Sequence, residues 1–216
     1  MYIERALTFK DVLLQPGFSK IESRSQINTE VKIGNYTFNH PMIVANMKDL
    51  VGINMLCEAI ESKGLIYMHR FASIVEQLDS LKFVNEKYSS NLINAFDYVG
   101  VSIGVKEEDK ENLKLLYNEG IRHVCIDIAH GDSQMCIDMI KYVKSNYKDV
   151  LLCAGNIATY DAAVRLWKAG ADIVKVGIGS GCFTAGTRIL MSNGLYKNIE
   201  EVNIGEKVIN MYGKPV

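Results

Sequence analysis

The 216-residue chain carries five cysteines, yet it has no CxxC pair and no cysteine–histidine spacing of the kind that holds a metal. Zinc-ribbon and CxxC redox readings are therefore set aside. It lacks any stretch approaching the roughly 18 uninterrupted apolar residues of a membrane span, and the opening MYIERALTFKDV breaks its apolar run with charges. No membrane partner is expected, and the cytoplasm is the default compartment. Charge of one sign is not in excess either: 24 Lys and Arg stand against 25 Asp and Glu, a formal net charge of −1. That balance removes the broad electrostatic reason to expect nucleic acid. Small anionic ligands need only a few local donors and stay open.

What is present is a chain 48% hydrophobic and 23% charged, enough to bury one sizeable core with room for a small appendage. Cys57, Cys125, Cys136 and Cys153 fall in apolar periodic segments and are expected as buried thiols.

From Pro41 onward short apolar runs alternate with amphipathic stretches, the pattern of a parallel α/β sheet. PMIVANM (41–47) predicts a strand, and INMLCEAIESKG a helix closed by Gly64. LIYMHR (65–70), YVGVSIGV (98–105), HVCIDIAH (123–130), VLLCAGN (150–156) and DIVKVGIG (172–179) supply five further strands with helices between them. Gly120 and Gly170 are expected to stop helices, and Thr159 to cap one. The strands are nearly continuous apolar runs, as when both faces are covered. Asn46, His69, Arg70, Ser102, Asp127, His130 and Asn156 sit within or just past successive strands. Polar residues spread over many strand ends fit a TIM barrel; an open sheet gathers them at one switch point. A barrel needs eight strands, and about six are legible here. His40 and His123 read as structural.

After Gly181 the rhythm changes to short β-like runs separated by Asn-Gly, Ile-Gly and Tyr-Gly turns, which marks a domain boundary without a linker.

The motifs LTFKDVLLQP, VANM, YMHRF, VSIGVKEED, CIDIAHG, CAGN and GADIVKVGIGSG occur in an order similar to that of the IMP dehydrogenase and GMP reductase family, across residues 7–181. The resemblance implies a TIM barrel. Only about ten residues part the helix ending near Lys87 from Tyr98, where dehydrogenases usually insert regulatory CBS domains. That feature, with MHRF, SIGVKEED and ESRS, resembles the reductase branch, whose members convert GMP and NADPH to IMP, ammonia and NADP+. A dehydrogenase without CBS domains, turning IMP and NAD+ into XMP, is the alternative, and a nucleotide-binding fragment without chemistry is another. By resemblance Ser102, Asp127, Ala129, His130 and Gly131 would line the cofactor end. Asn46, Met47 and Asn156 would meet the nucleotide, and Arg70, where relatives carry a basic residue, would act at the cofactor or at the ammonia step. Gly179 and Gly181 would be potassium ligands, with Ser180 standing where relatives carry proline. Complete family members are commonly homotetramers.

In the family the glycine run continues into Ser-x-Cys-Thr-Thr-Arg, which carries the cysteine that attacks the purine. This chain reads Cys182-Phe-Thr-Ala-Gly-Thr instead. Cys182 lies two positions too early for that nucleophile. CFTAGTRIL, Asn-Gly and IEEVNIGEKVI are similar to the opening of an intein of the Hint fold, whose first cysteine performs an N-to-S acyl shift on the preceding peptide bond. The expected organisation is an incomplete TIM (β/α)8 barrel over 1–181 and a short all-β intein segment over 182–216, with Thr187 in the motif. The chain would be one half of a split intein awaiting a complementary C-terminal intein–extein half, or a truncated reading of a longer gene. Either way it is expected to be inactive until completed.

Overall fold

The computed structural model of the chain describes residues 13, 15–89, 93–177, 188–198, 201–203, 205–209 and 214–215. Its centre is a parallel sheet of five strands in sequential order: β3 (Ile66–Met68), β4 (Val99–Ile103), β5 (His123–Asp127), β6 (Leu151–Ile157) and β7 (Ile173–Val176). Between them run the helices α2 (Ile74–Ser89), α3 (Glu107–Asn118), α4 (Gln134–Asn146) and α5 (Tyr160–Ala169), with α1 (Ile53–Ser62) before β3. An all-parallel order with a helix in each crossover is the arrangement of a TIM barrel segment.

The sixth expected strand is a correction. Of the 41–47 stretch only Val44 pairs, in a single parallel bridge to Ile66. Met42, Ile43 and Met47 are exposed there, so the apolar run does not signal a covered strand. Four of the other five strands lie inside the expected stretches but are shorter, because the polar ends of those stretches are loops, while β6 is shifted by one residue and runs on to Ile157.

Sequence sets the caps. Thr159 accepts a hydrogen bond from the Ala162 N–H at 3.2 Å at the start of α5, and Gly170 ends it at φ +117°. Ser133 caps α4 in the same manner through the Cys136 N–H. Gly64 does not close α1 by its own left-handed turn; Lys63 takes that conformation, at φ 53°. Gly64 is required for a different reason: a Cβ there would stand 2.3 Å from the His40 ring.

Along the strands, side chains alternate between two clusters. Val99, Val101, Ile103, Val124, Ile126, Leu152 and Ala154 pack outward against the helices. Tyr67, Cys125 and Cys153 face the other way, into the barrel interior, with Leu65 and Phe38. The four described cysteines are free and buried, as the periodicity predicts. An antiparallel hairpin, β1 (Val31–Ile33) and β2 (Tyr36–Phe38), packs on the His123 end of this interior. The Tyr36 ring lies 4.2 Å and the Phe38 ring 6.0 Å from the His123 ring.

His123 is fully buried and its Nε2 lies 2.9 Å from the Asp97 carbonyl oxygen, which bears out its structural reading. Burial pushes its pKa down to about 4. In the unfolded chain the ordinary value is about 6.5, so below that pH the unfolded state binds the extra proton. Stability is complete above about pH 6.5 and declines towards pH 4, by up to about 3 kcal/mol. His123→Gln is expected to flatten that stretch of the stability-against-pH curve in urea melts; an unchanged slope would assign the acid sensitivity to other groups.

Beyond the sheet, β8 (Arg188–Leu190) and β9 (Tyr196–Asn198) form an antiparallel hairpin around Asn193 and Gly194. Gly194 takes φ +79°, and the Asn193 side chain accepts from the Leu195 N–H at 3.0 Å. Met191 bridges Val208, and Ile209 bridges Pro215. Lys197 pairs with Glu206 at 2.8 Å. The Asn-Gly turn expected from the sequence is the turn of the β8–β9 hairpin.

Candidate functional site

At the carboxyl ends of the strands the interior positions become polar. Asp127 on β5, Gly155 on β6 and Lys175 on β7 are neighbours in register. The middle residue has no side chain, and this is what lets its neighbours meet. The Lys175 ammonium passes over β6 and donates to Asp127 Oδ1 at 2.8 Å and to Asn46 Oδ1 at 2.7 Å. Asn46 in turn donates to Ser102 Oγ at 2.9 Å. A Cβ at Gly155 would lie 2.6 Å from the Lys175 carbonyl oxygen and 2.7 Å from its Cβ, so no larger residue fits there.

Asn46 and Ser102 are buried, while the Asp127 and Lys175 side chains are 20% and 34% exposed. The four therefore form a connected polar network with its charged end at the barrel mouth. Lys175 engages one oxygen of Asp127; Oδ2 is not part of that contact.

The loop after β5 is stitched to the end of β6. Ile128 N–H donates to the Gly155 carbonyl at 3.0 Å, Asn156 N–H to Ile128 at 2.8 Å, and Gly131 N–H to Asn156 at 2.7 Å. Gly131 is buried, and a Cβ on it would stand 2.9 Å from the Gly155 backbone. This brings Asp127, Gly131 and Asn156 to one rim. Asn156 Oδ1 is buried without a hydrogen-bond partner among the described residues. Ala129 and His130, on the same loop, are exposed.

Other expected residues fall outside the network. Met47 is 56% exposed, so it is not a core methionine. Arg70 is exposed, with its guanidinium 4.5 Å from the centre of the Phe71 ring. It also borders a cleft of about 500 Å³ with Gly104, Lys106, Asp109 and Ile128. His69 lines a separate cleft of about 460 Å³ with Lys48 and Glu76, and its Nδ1 is buried without a described partner. His40 is structural, against Gly64 and 3.4 Å from Ser62 Oγ. Gly179, Gly181 and Cys182 lie outside the described residues, as does Thr187.

Lys175 is the residue that motif reading passes over. Its signal is a lone charge inside the otherwise apolar IVKV strand, at a position whose neighbours alternate inward and outward. A cation there has to find a carboxylate or solvent.

Among the described residues no helix is long and apolar enough to cross a membrane. The chain matches the family model described as IMP dehydrogenase / GMP reductase domain over residues 6–216, a match that runs past Cys182. Similar proteins include the GMP reductase of Streptococcus agalactiae serotype V, 36% identical over 179 residues, which covers 82% of this chain and 52% of that protein. The GMP reductase of Bacillus subtilis is 34% identical over 186 residues, covering 84% and 54%. That of Paracidovorax citrulli is 35% identical over 181 residues, covering 82% and 52%. The chain spans about half the length of these relatives.

Proposed function

The chain belongs to the IMP dehydrogenase / GMP reductase family, and from that premise we propose that it supplies the greater part of the barrel of a GMP reductase, which takes GMP and NADPH to IMP, ammonia and NADP+. The observation that carries this is the Asn46–Ser102–Asp127–Lys175 network at the carboxyl ends of the strands, where TIM barrels keep their chemistry. The short passage from α2, ending at Ser89, to β4, starting at Val99, supports the reductase over a CBS-bearing dehydrogenase.

The rim fits a dinucleotide. Asp127 presents a carboxylate oxygen, Asn156 an acceptor without a partner among the described residues, and Gly131 a backbone with no side chain in the way. Asp127 would accept from ribose hydroxyls, with Ser102 behind it and Ala129 and His130 along the exposed loop. NADPH, when bound, would supply the hydride, and Asp127 with the loop after β5 would orient it. Asn46, Met47 and Asn156 would meet the purine nucleotide. Potassium at Gly179 and Gly181, a homotetramer and a cytoplasmic setting complete the reading on the strength of the family motif.

The junction is the second half of the proposal. Cys182 stands where the family places Ser, and residues 182–216 are read as an intein opening whose removal would restore the Ser-x-Cys loop. The antiparallel β8–β9 hairpin is compatible with that reading. A family domain uninterrupted at this point is the other reading, favoured by the family match through Val216.

Completed with its C-terminal half, the enzyme is expected to oxidise NADPH when GMP is added and to release ammonia. Reduction of NAD+ on adding IMP, with no response to GMP, would move the assignment to the dehydrogenase.

A further inference from the structure

The loop between β5 and α4 carries Ala129 and His130 exposed at the rim, and its backbone is fastened to the end of β6 through Ile128 and Gly131. Asp132, the next residue, is held from a different element. Arg165 on α5 donates through Nε to Asp132 Oδ1 at 2.8 Å and through Nη2 to Asp132 Oδ2 at 2.6 Å.

We propose that Arg165 is a positioning residue for the cofactor end of the site: its pair with Asp132 fixes the β5–α4 loop in the conformation that receives NADPH. The inference rests on the reading of this rim as the dinucleotide end of a reductase.

The geometry is that of a clamp. Both oxygens of the carboxylate meet two N–H groups of one planar guanidinium, which sets the direction of the Asp132 side chain as well as its distance. A lysine at 165 would offer a point charge without that fork. The two side chains are 25% and 49% exposed, and pairs so open to water contribute little to overall stability. The consequence of this pair therefore lies in where the loop sits.

Its place in the fold supports that use. Asp132 stands between Gly131, which is bonded to the Asn156 carbonyl at 2.7 Å, and Ser133, which caps α4. A shift at Asp132 is thus passed to Gly131 on one side and to the start of α4 on the other. Arg165 joins three consecutive pieces of the barrel wall: the loop after β5, the end of β6 that seats it, and the helix that follows β6. The Arg165 guanidinium, with a smaller contribution from His130, holds the Asp132 carboxyl below its ordinary value. The carboxylate therefore stays ionised through the neutral range, and its field reaches the exposed histidine of the same loop.

Two measurements test the clamp. In hydrogen exchange on the 216-residue chain without cofactor, Arg165→Leu is expected to speed exchange of the 128–133 segment by about 10-fold and to leave β5 and β6 unchanged, since only local opening is altered. In the completed enzyme the same variant should raise KM for NADPH by about 10-fold, with kcat and KM for GMP steady. Asp132→Asn should reproduce both changes, and the two substitutions together should add little to either alone. Arg165→Lys should fall between. Exchange of 128–133 at the ordinary rate in Arg165→Leu, an unmoved KM for NADPH, or fully additive effects of the two substitutions would overturn the clamp. The reductase reading is tested separately by turnover of the unaltered completed enzyme, whereas the exchange difference needs no turnover.

Discussion

Lys175→Met in the completed enzyme is expected to lower kcat/KM for NADPH turnover by about 100-fold, the scale on which small misplacements of reacting groups act. The substitution keeps an unbranched side chain one atom shorter and removes the ammonium. Asp127 then loses its 2.8 Å partner while still only 20% exposed, and Asn46 loses its 2.7 Å donor. A half-buried carboxylate and an unsatisfied amide cost about 1–3 kcal/mol in stability, much less than the pair would cost if fully buried. Lys175→Arg keeps the charge and should recover part of the loss. A purely structural role would lower the melting temperature and leave KM for NADPH unaltered, so the account requires KM to rise. Gly155→Ala offers a parallel route to the same end: its Cβ would clash with Lys175 backbone and side chain and displace the ammonium. Loss of turnover in Lys175→Met with an unchanged KM would contradict the positioning of Asp127 by Lys175.

Cys182→Ala is expected to abolish ligation with a complementary C-terminal half, because alanine has no nucleophile for the acyl shift. The effect should be all-or-none on a gel, with both unligated pieces persisting. A thiol is both a competent nucleophile and a good thioester leaving group, so Cys182→Ser should be slowed severely. Ligation of the alanine variant at the normal rate would remove Cys182 from the reaction and favour a family domain that is uninterrupted at this point.

Much of the framework is visible in the residues themselves. Thr159 and Gly170 bound α5 as their chemistry demands, and the apolar runs at 99–103, 123–127 and 151–157 are strands with both faces covered, while 173–176 is only partly covered. PMIVANM misleads because composition cannot distinguish a covered strand from an edge: Val44 makes one bridge, and Met42 and Ile43 stay exposed. Gly64 is necessary for its contact with His40, which lies 24 positions earlier and is invisible to local reading. In the site, Asn46, Ser102 and Asp127 were legible as polar residues at strand ends, and the fold joins them. Their link, Lys175, was not, since it reads as one charge in an apolar strand until the register sets it across Gly155 from Asp127.

The central claim is that this chain carries the nucleotide-binding part of a reductase without its reactive sulfur. The most direct test is NADPH absorbance on adding GMP to the purified 216-residue chain, before and after joining it to a C-terminal half that ends the intein and restores the Ser-x-Cys loop. The account predicts no oxidation before joining and steady oxidation after. GMP-dependent oxidation by the unjoined chain would contradict it.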